Sequence, residues 1–262
     1  MGDEREFPAL VDLQHEGQGV LIRPSWVVTA AHAAAAVPVN EVTINQRRRK
    51  VECVIFHPGY RALPRELLQG DARPVMDFLR ASDDIALIRL AEPVTDVAPA
   101  VINRAADEHG RSAKIYGKGA TGNGKTGQDP ASPNPTMLRR AFNVITGADG
   151  RWLIYRFDEG DAAVALEGML GNGDSGGPLL IEARGTWLLA GLASWKYWEG
   201  SMEDFRAGNY GQVSYHVRLA HYASWMEEIM RTRDPQQVDC GRPSACTSQR
   251  PCETQPKSGS TH

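Results

Sequence analysis

The sequence predicts an all-β protein, a sandwich or a barrel, and two observations carry that reading. Short runs rich in Val, Ile, Leu, Trp, Tyr and Thr recur along the chain, and Gly, Pro, Asn or Asp separates most of them. Helical periodicity, by contrast, is scarce. A length of 262 residues fits one large domain or two modest ones and is ample for a buried core.

Taken in order, the strand candidates are residues 19–22, 26–29, 51–56, 85–90, 114–116, 142–145, 152–157, 179–181 and 186–193. Each is a short β-branched or aromatic run of the kind that fits a pleated, half-buried surface. One segment departs from the pattern. Leu219, Tyr222, Met226, Ile229 and Met230 recur at three- and four-residue steps, which predicts an amphipathic helix ending before Pro235. Residues 234–262 are rich in Pro, Ser, Thr, Gln and Gly and predict a flexible tail that buries too little to offset its ordering entropy. Residues 119–135 read as an exposed loop. Its Gly122-Asn123-Gly124-Lys125-Thr126 fails the spacing of a phosphate-binding loop. The basic run Arg47 to Lys50 reads as a solvated strand end in preference to a basic docking patch, and no internal repeat is visible.

Composition excludes several classes. The chain holds 29 Lys+Arg against 32 Asp+Glu, a net charge of -3, so it lacks the bulk positive charge of a nucleic-acid binder. No run of about 18 apolar residues predicts a membrane span. Four cysteines are too sparse for a disulfide-stapled scaffold. Cys53 stands alone, while Cys240, Cys246 and Cys252 crowd the tail without the paired knuckles of a zinc site. They imply one tail disulfide with a thiol left over, or unpaired thiols. The acidic start Met1-Gly2-Asp3-Glu4-Arg5-Glu6 is not a secretory signal, so the chain is either intracellular or already processed.

Three segments carry chemistry: Val27-Val28-Thr29-Ala30-Ala31-His32-Ala33, Asp83-Asp84-Ile85-Ala86-Leu87, and Gly171-Asn172-Gly173-Asp174-Ser175-Gly176-Gly177-Pro178-Leu179. In residue type, chain order and spacing they resemble the trypsin-like, chymotrypsin-fold serine peptidases. His57-Pro58-Gly59-Tyr60, Gly117-Lys118-Gly119, Ser194-Trp195 and the stretch from Val213 to Trp225 add weaker likenesses. The loop texture is most similar to the bacterial branch.

The resemblance implies two six-stranded antiparallel barrels with the site between them and a C-terminal helix, in a domain over residues 1–233. It implies catalysis by His32, Asp84 and Ser175. His32 takes the Ser175 proton, Asp84 fixes the imidazole, and the Gly173 and Ser175 amides hold the oxyanion. Met169, Ser194, Trp195 and Lys196 are the implied substrate-binding residues. Met169 in place of an acid points to an apolar rather than a Lys or Arg preference, while Lys196 either narrows the pocket or attracts an acidic group. The reaction needs no metal or organic cofactor, and the implied partner is a protein or peptide substrate. The alternative is a silent or zymogen-like binding module on the same fold.

This sequence also departs from the family. The half-cystines usual around the histidine and before the serine are absent. No Ile-Val-Gly-Gly-like segment precedes Phe7, so Asp174, which pairs with a cut N-terminus in activated members, either takes another partner, an Arg or backbone group being favoured, or belongs to a trimmed and poorly activated chain. Insertions at residues 61–82 and after Lys196, the latter carrying Glu199, Glu203 and Asp204, predict narrow specificity. Most relatives are exported, which favours a secreted or periplasmic location over a cytoplasmic one.

Overall fold

A computed structural model describes residues 6–233 apart from Asn134 and Thr136. The predicted tail and its Cys240, Cys246 and Cys252 lie outside the described residues. The first half supplies β1 (Leu10–Leu13), β2 (Gln18–Arg23), β3 (Trp26–Thr29), β4 (Glu41–Ile44), β5 (Arg47–Phe56) and β6 (Ala86–Leu90). A one-turn helix α1 (Ala31–Ala35) follows β3, and α2 (Arg73–Ala81) sits between β5 and β6. These strands form a closed barrel in the order β1-β2-β3-β6-β5-β4, with β1 pairing antiparallel to β4 to shut it.

The closed barrel follows from its pattern of burial. All four residues of β3 are buried between β2 and β6, as a continuous apolar run demands. Strand β5 alternates instead and starts earlier than the sequence reading placed it, at Arg47. It is joined to β4 by a two-residue turn at Asn45 and Gln46, with φ of 49° and 62°, the positive angles that match strand twist in a tight hairpin. The basic run is paired and solvated: Arg47 and Arg49 both reach Asp96, at 3.2 and 2.5 Å, and Arg48 reaches Glu41 at 3.4 Å.

The second half supplies β7 (Ser112–Gly117), the short pair β8 (Gly122–Asn123) and β9 (Gly127–Gln128), β10 (Arg139–Val144), β11 (Gly147–Asp149) and β12 (Trp152–Arg156). It continues with β13 (Pro178–Ala183), β14 (Thr186–Lys196), β15 (Val213–Arg218) and the terminal helix α3 (Leu219–Arg233). The expectation of two closed six-stranded barrels is corrected here. The second sheet has seven strands, β10-β7-β13-β14-β15-β12-β11, and is open between its ends.

The reason lies at the seam. The outer edge of β10 is taken by an irregular segment: the Phe142 amide donates to the Leu166 carbonyl at 3.0 Å and the Gly168 amide to the Phe142 carbonyl at 3.2 Å. The buried Asn143 side chain then donates to the carbonyls of Arg156 at 2.9 Å and Gly168 at 3.2 Å. A side chain and a loop therefore satisfy the groups that a closing ladder would otherwise pair. β11, three residues long, ends the sheet on the other side.

One apolar cluster runs from the first barrel to α3 and includes Val20, Val28, Leu87, Leu192, Tyr222 and Met226. A second cluster, with Ile115, Leu153, Tyr155, Leu179 and Ile181, fills the concave side of the open sheet. The two half-sheets are also tied by Asp83, which accepts from the Tyr222 hydroxyl of α3 at 2.7 Å and pairs with Arg151 at 3.3 Å.

Candidate active site

Three turns at the ends of buried strands converge between the two sheets. His32 lies in α1, just past the end of β3. Asp84 precedes the wholly buried Ile85 and β6, and Ser175 sits on the turn before β13. That turn is anchored on the first barrel, where the Gln18 amide donates to the Ser175 carbonyl at 2.7 Å, and on the second, where the Gly176 amide donates to the Ala193 carbonyl at 2.8 Å.

The side chains meet in a line. His32 Nε2 is 2.7 Å from Ser175 Oγ. His32 Nδ1 is 2.7 Å from Asp84 Oδ2. The carboxylate receives two further donors: the His32 backbone amide on Oδ1 at 2.8 Å and the Ser194 hydroxyl on Oδ2 at 2.5 Å. Asp84 is 6% exposed, whereas the His32 side chain is 41% exposed and open to a reactant. Burial opposes a charged imidazole, but the Asp84 charge and hydrogen bond outweigh it and raise His32 above its ordinary 6.5. Burial likewise pushes Asp84 up, and the His32 charge with the bonds from His32 and Ser194 brings it below the usual carboxylate range.

The turn bearing Ser175 leaves two amides unused. Among the described residues, neither the Gly173 nor the Ser175 backbone N–H donates to a protein acceptor. Gly173 has φ of +93°, a conformation L side chains rarely adopt. Two amides on one strained turn next to the serine hydroxyl form an anion-receiving pair.

Asp174 holds this turn in place through backbone partners. Its Oδ1 accepts from the Gly119 amide and its Oδ2 from the Gly171 amide, each at 2.7 Å. Burial outweighs these bonds and keeps its carboxyl above the usual range. A Cβ on Gly119 would stand 2.6 Å from Asp174 Oδ1 and 2.7 Å from the Asn172 carbonyl, so the close approach requires glycine. Gly119→Ala is expected to push the turn away and lower kcat/KM by about 10²–10³, the scale of losing an oxyanion donor. Steady-state kinetics on the folded variant, verified by circular dichroism, checks this; wild-type kinetics would show that the cradle does not set the turn.

The proposed substrate-binding residues separate into different environments. Ser194 points to Asp84 rather than standing only as a cleft wall. Trp195 is 7% exposed and stacks on Tyr215 with centroids 3.8 Å apart. Met169 packs against the second apolar cluster. Lys196 Nζ donates to Asn172 Oδ1 at 3.0 Å, bridging β14 to the serine turn. On the opposite side of Ser175 and His32 lies a cavity of about 270 Å³ lined by Leu13, His15, Glu16, Val37 and Val39.

The two insertions are stitched together. The Ala72 amide donates to the Gly200 carbonyl at 2.8 Å and the Met202 amide to the Gly70 carbonyl at 2.7 Å. The Trp198 amide donates to Met76 Sδ at 3.3 Å, and Arg80 reaches the Tyr215 hydroxyl at 3.0 Å. They form one wall beside the Trp195–Tyr215 stack. The sequence marked both insertions and Ser194-Trp195 beside the cleft, but not that the insertions join into one wall or that Ser194 bonds to Asp84. Among the described residues no cluster of His, Cys, Asp and Glu is arranged to hold a metal ion, and no helix is long and apolar enough to cross a membrane.

Comparison with known proteins agrees with this geometry. The family model described as Trypsin matches residues 2–226. Mouse tryptase (Mus musculus) is 30% identical over 223 residues, covering 78% of this chain and 77% of that protein. Vitamin K-dependent protein C of rabbit (Oryctolagus cuniculus) is 27% identical over 227 residues, covering 77% of this chain and 45% of that protein. The rat protein (Rattus norvegicus) is 25% identical over 238 residues, covering 82% of this chain and 46% of that protein. The chain thus spans less than half the length of either protein C. With its matched family model, closed barrel, companion open sheet and His–Asp–Ser line, it belongs to the trypsin family of serine peptidases.

Proposed function

We propose that the chain is a serine endopeptidase that cleaves peptide bonds through an acyl-enzyme at Ser175. The observation carrying this is the unbroken line from Asp84 through His32 to the Ser175 hydroxyl, with 2.7 Å at each imidazole nitrogen. His32 Nε2 accepts the Ser175 proton as Oγ attacks the carbonyl carbon. The resulting oxyanion is received by the Gly173 and Ser175 amides. Collapse expels the amine, which takes the proton from His32, and leaves an ester on Ser175. Water, deprotonated by His32, then hydrolyses that ester and restores the hydroxyl. Asp84 holds Nδ1 protonated throughout, so that Nε2 faces the serine as an acceptor.

The cavity lined by Leu13, Val37 and Val39 is suited to an apolar residue on the leaving-group side. Met169 argues against Lys or Arg on the acyl side and, taken alone, favours an apolar residue there. The stitched insertions support narrow specificity. The loop over residues 119–135 and the absence of half-cystines near His32 and Ser175 support a place in the bacterial branch, although the relatives named above are mammalian, and a secreted or periplasmic location rests only on the export of most family members.

Reaction with a fluorophosphonate tests the reading. We expect a single covalent adduct, located by peptide mass mapping on Ser175 and lost when His32 is replaced by alanine. A folded protein that acquires no adduct would instead be a binding module.

A further inference from the structure

The interior of the second sheet holds polar side chains that the protein satisfies only in part. Tyr155 on β12 and Ser214 and His216 on β15 are each 0% exposed. Ser214 lies directly across from Tyr155 on one side and from Lys196 on the other. His216, two residues along the same strand, shares that face. The Tyr155 hydroxyl lies within reach of the Ser214 hydroxyl and the Leu170 amide, whereas neither His216 ring nitrogen has a hydrogen-bond partner among the described residues. Burial pushes the His216 imidazole down to about 3, so it stays neutral, with one N–H to donate. A buried donor left unmade is costly, and an imidazole with both nitrogens unpaired beside this polar pair calls for a ligand that completes it.

Lys196 stands at the top of this row. Its ammonium uses one of three donors, on Asn172 Oδ1. Burial pushes it down to about 8, with the Asp174 charge acting in the other direction. The Asp174 oxygens themselves are held by the Gly119 and Gly171 amides. Two acidic residues of the neighbouring insertion are engaged elsewhere: Glu199 accepts from the Tyr197 hydroxyl, and Glu203 from the Gly70 amide and the Ser201 hydroxyl. Met169, packed against the same apolar cluster as Tyr155, brings no negative charge.

The cavity beyond His32 flanks Ser175 on one side, and Lys196, bonded to Asn172 of the serine turn, flanks it on the other. We propose that the acyl-side residue of a bound peptide, with its carbonyl at Ser175, enters beside Lys196 toward this row and that the site selects an acidic side chain there. Lys196 exchanges the Asn172 oxygen for the substrate carboxylate, and as the wholly buried row opens to it Ser214 gives up Tyr155 and donates to the carboxylate together with His216. An apolar side chain reaching the same depth satisfies none of these groups. Met169 then forms the wall of the pocket rather than deciding its class. This inference rests on the peptidase reading of Ser175, and its test separates the two.

Matched peptides differing only in the acyl-side residue, Glu, Gln, Leu or Arg, are the substrates. The kcat/KM for Glu is expected to exceed that for Gln by about 30-fold or more, the lower end for pairing a partly buried charge. Lys196→Met should collapse the Glu-to-Gln ratio toward unity, and Lys196→Arg should retain most of it. Ser214→Ala offers an independent reduction of the same ratio. Fastest cleavage after Leu or Arg overturns the proposal, as does a ratio indifferent to Lys196→Met. A rise in cleavage of every peptide in Lys196→Met also overturns it and makes Lys196 a simple lid. Calorimetry of the Ser175→Ala protein with peptides ending in Glu or Gln reads the pocket without turnover. Tighter binding of Glu supports the proposal, and equal binding overturns it, even if no fluorophosphonate adduct forms.

Discussion

Replacing Ser175 with alanine is expected to lower kcat by about 10⁶-fold, and replacing His32 as well is expected to cost little more. The reason is that the two side chains act as one device. A serine hydroxyl is a weak nucleophile near neutral pH, and only proton transfer to His32 Nε2 at 2.7 Å activates it. Without the hydroxyl the imidazole has nothing to deprotonate; without the imidazole the hydroxyl is not activated. The Gly173 and Ser175 amides remain in either variant, so about 10³-fold acceleration over water should persist from oxyanion binding and positioning. Single-turnover kinetics of the two single variants and the double variant provides the check. Additive losses, about 10¹² in the double variant by multiplication of single effects of this size, would mean that the residues act independently. Thermal stability should change little in Ser175→Ala. The variant removes one hydrogen bond to a half-exposed ring and leaves the buried anchors of the turn, the Ser175 carbonyl and the Gly176 amide, in place.

The site was more legible in the sequence than the sheet that carries half of it. His32, Asp84 and Ser175 each sit where a buried strand meets a turn, and each is embedded in a local residue pattern, so their chemistry could be read without knowing the fold. Ser194 could not be read the same way. Its bond to Asp84 spans 110 positions and depends on how β14 is turned against the first barrel. The openness of the second sheet was hidden for a similar reason: Asn143 looks like an ordinary polar residue in a strand until its amide is seen to fill the seam. Strand β4 and the start of β5 were missed because their hairpin uses Asn45-Gln46, without the glycine that usually marks such a turn. Helix α2 lay within what read only as an insertion, and its stitching to residues 198–203 is a long-range match that no local pattern announces. Local chemistry is written in short words, whereas closure and docking are decided by partners far away in the chain.

Asp84→Asn is expected to reduce kcat/KM by about 10⁴ and to move the acid limb of its pH profile downward. Three donors converge on the Asp84 carboxylate: the His32 amide on Oδ1, and His32 Nδ1 and the Ser194 hydroxyl on Oδ2. An asparagine offers one oxygen and one NH₂ in their place. With the oxygen toward the His32 amide, the NH₂ faces Nδ1, turns it into an acceptor and leaves the proton on Nε2, where it blocks abstraction from Ser175. With the group flipped, NH₂ meets the His32 amide donor to donor. Neither orientation supports a base at Nε2. The pH effect follows from the same residue. Only neutral His32 accepts a proton, so activity falls as pH drops through the folded-state value, which in the native protein lies above 6.5. The Asp84 charge and hydrogen bond are what raise it against burial; once they are removed, burial and the Lys196 charge act downward and only Glu16 remains to act upward. The limb must therefore shift to lower pH while the plateau falls. A profile of kcat/KM against pH for both proteins measures the two effects together. An unchanged limb beneath a lowered plateau would mean that Asp84 orients the imidazole without stabilising its charge, and a limb displaced upward would place another anion beside His32.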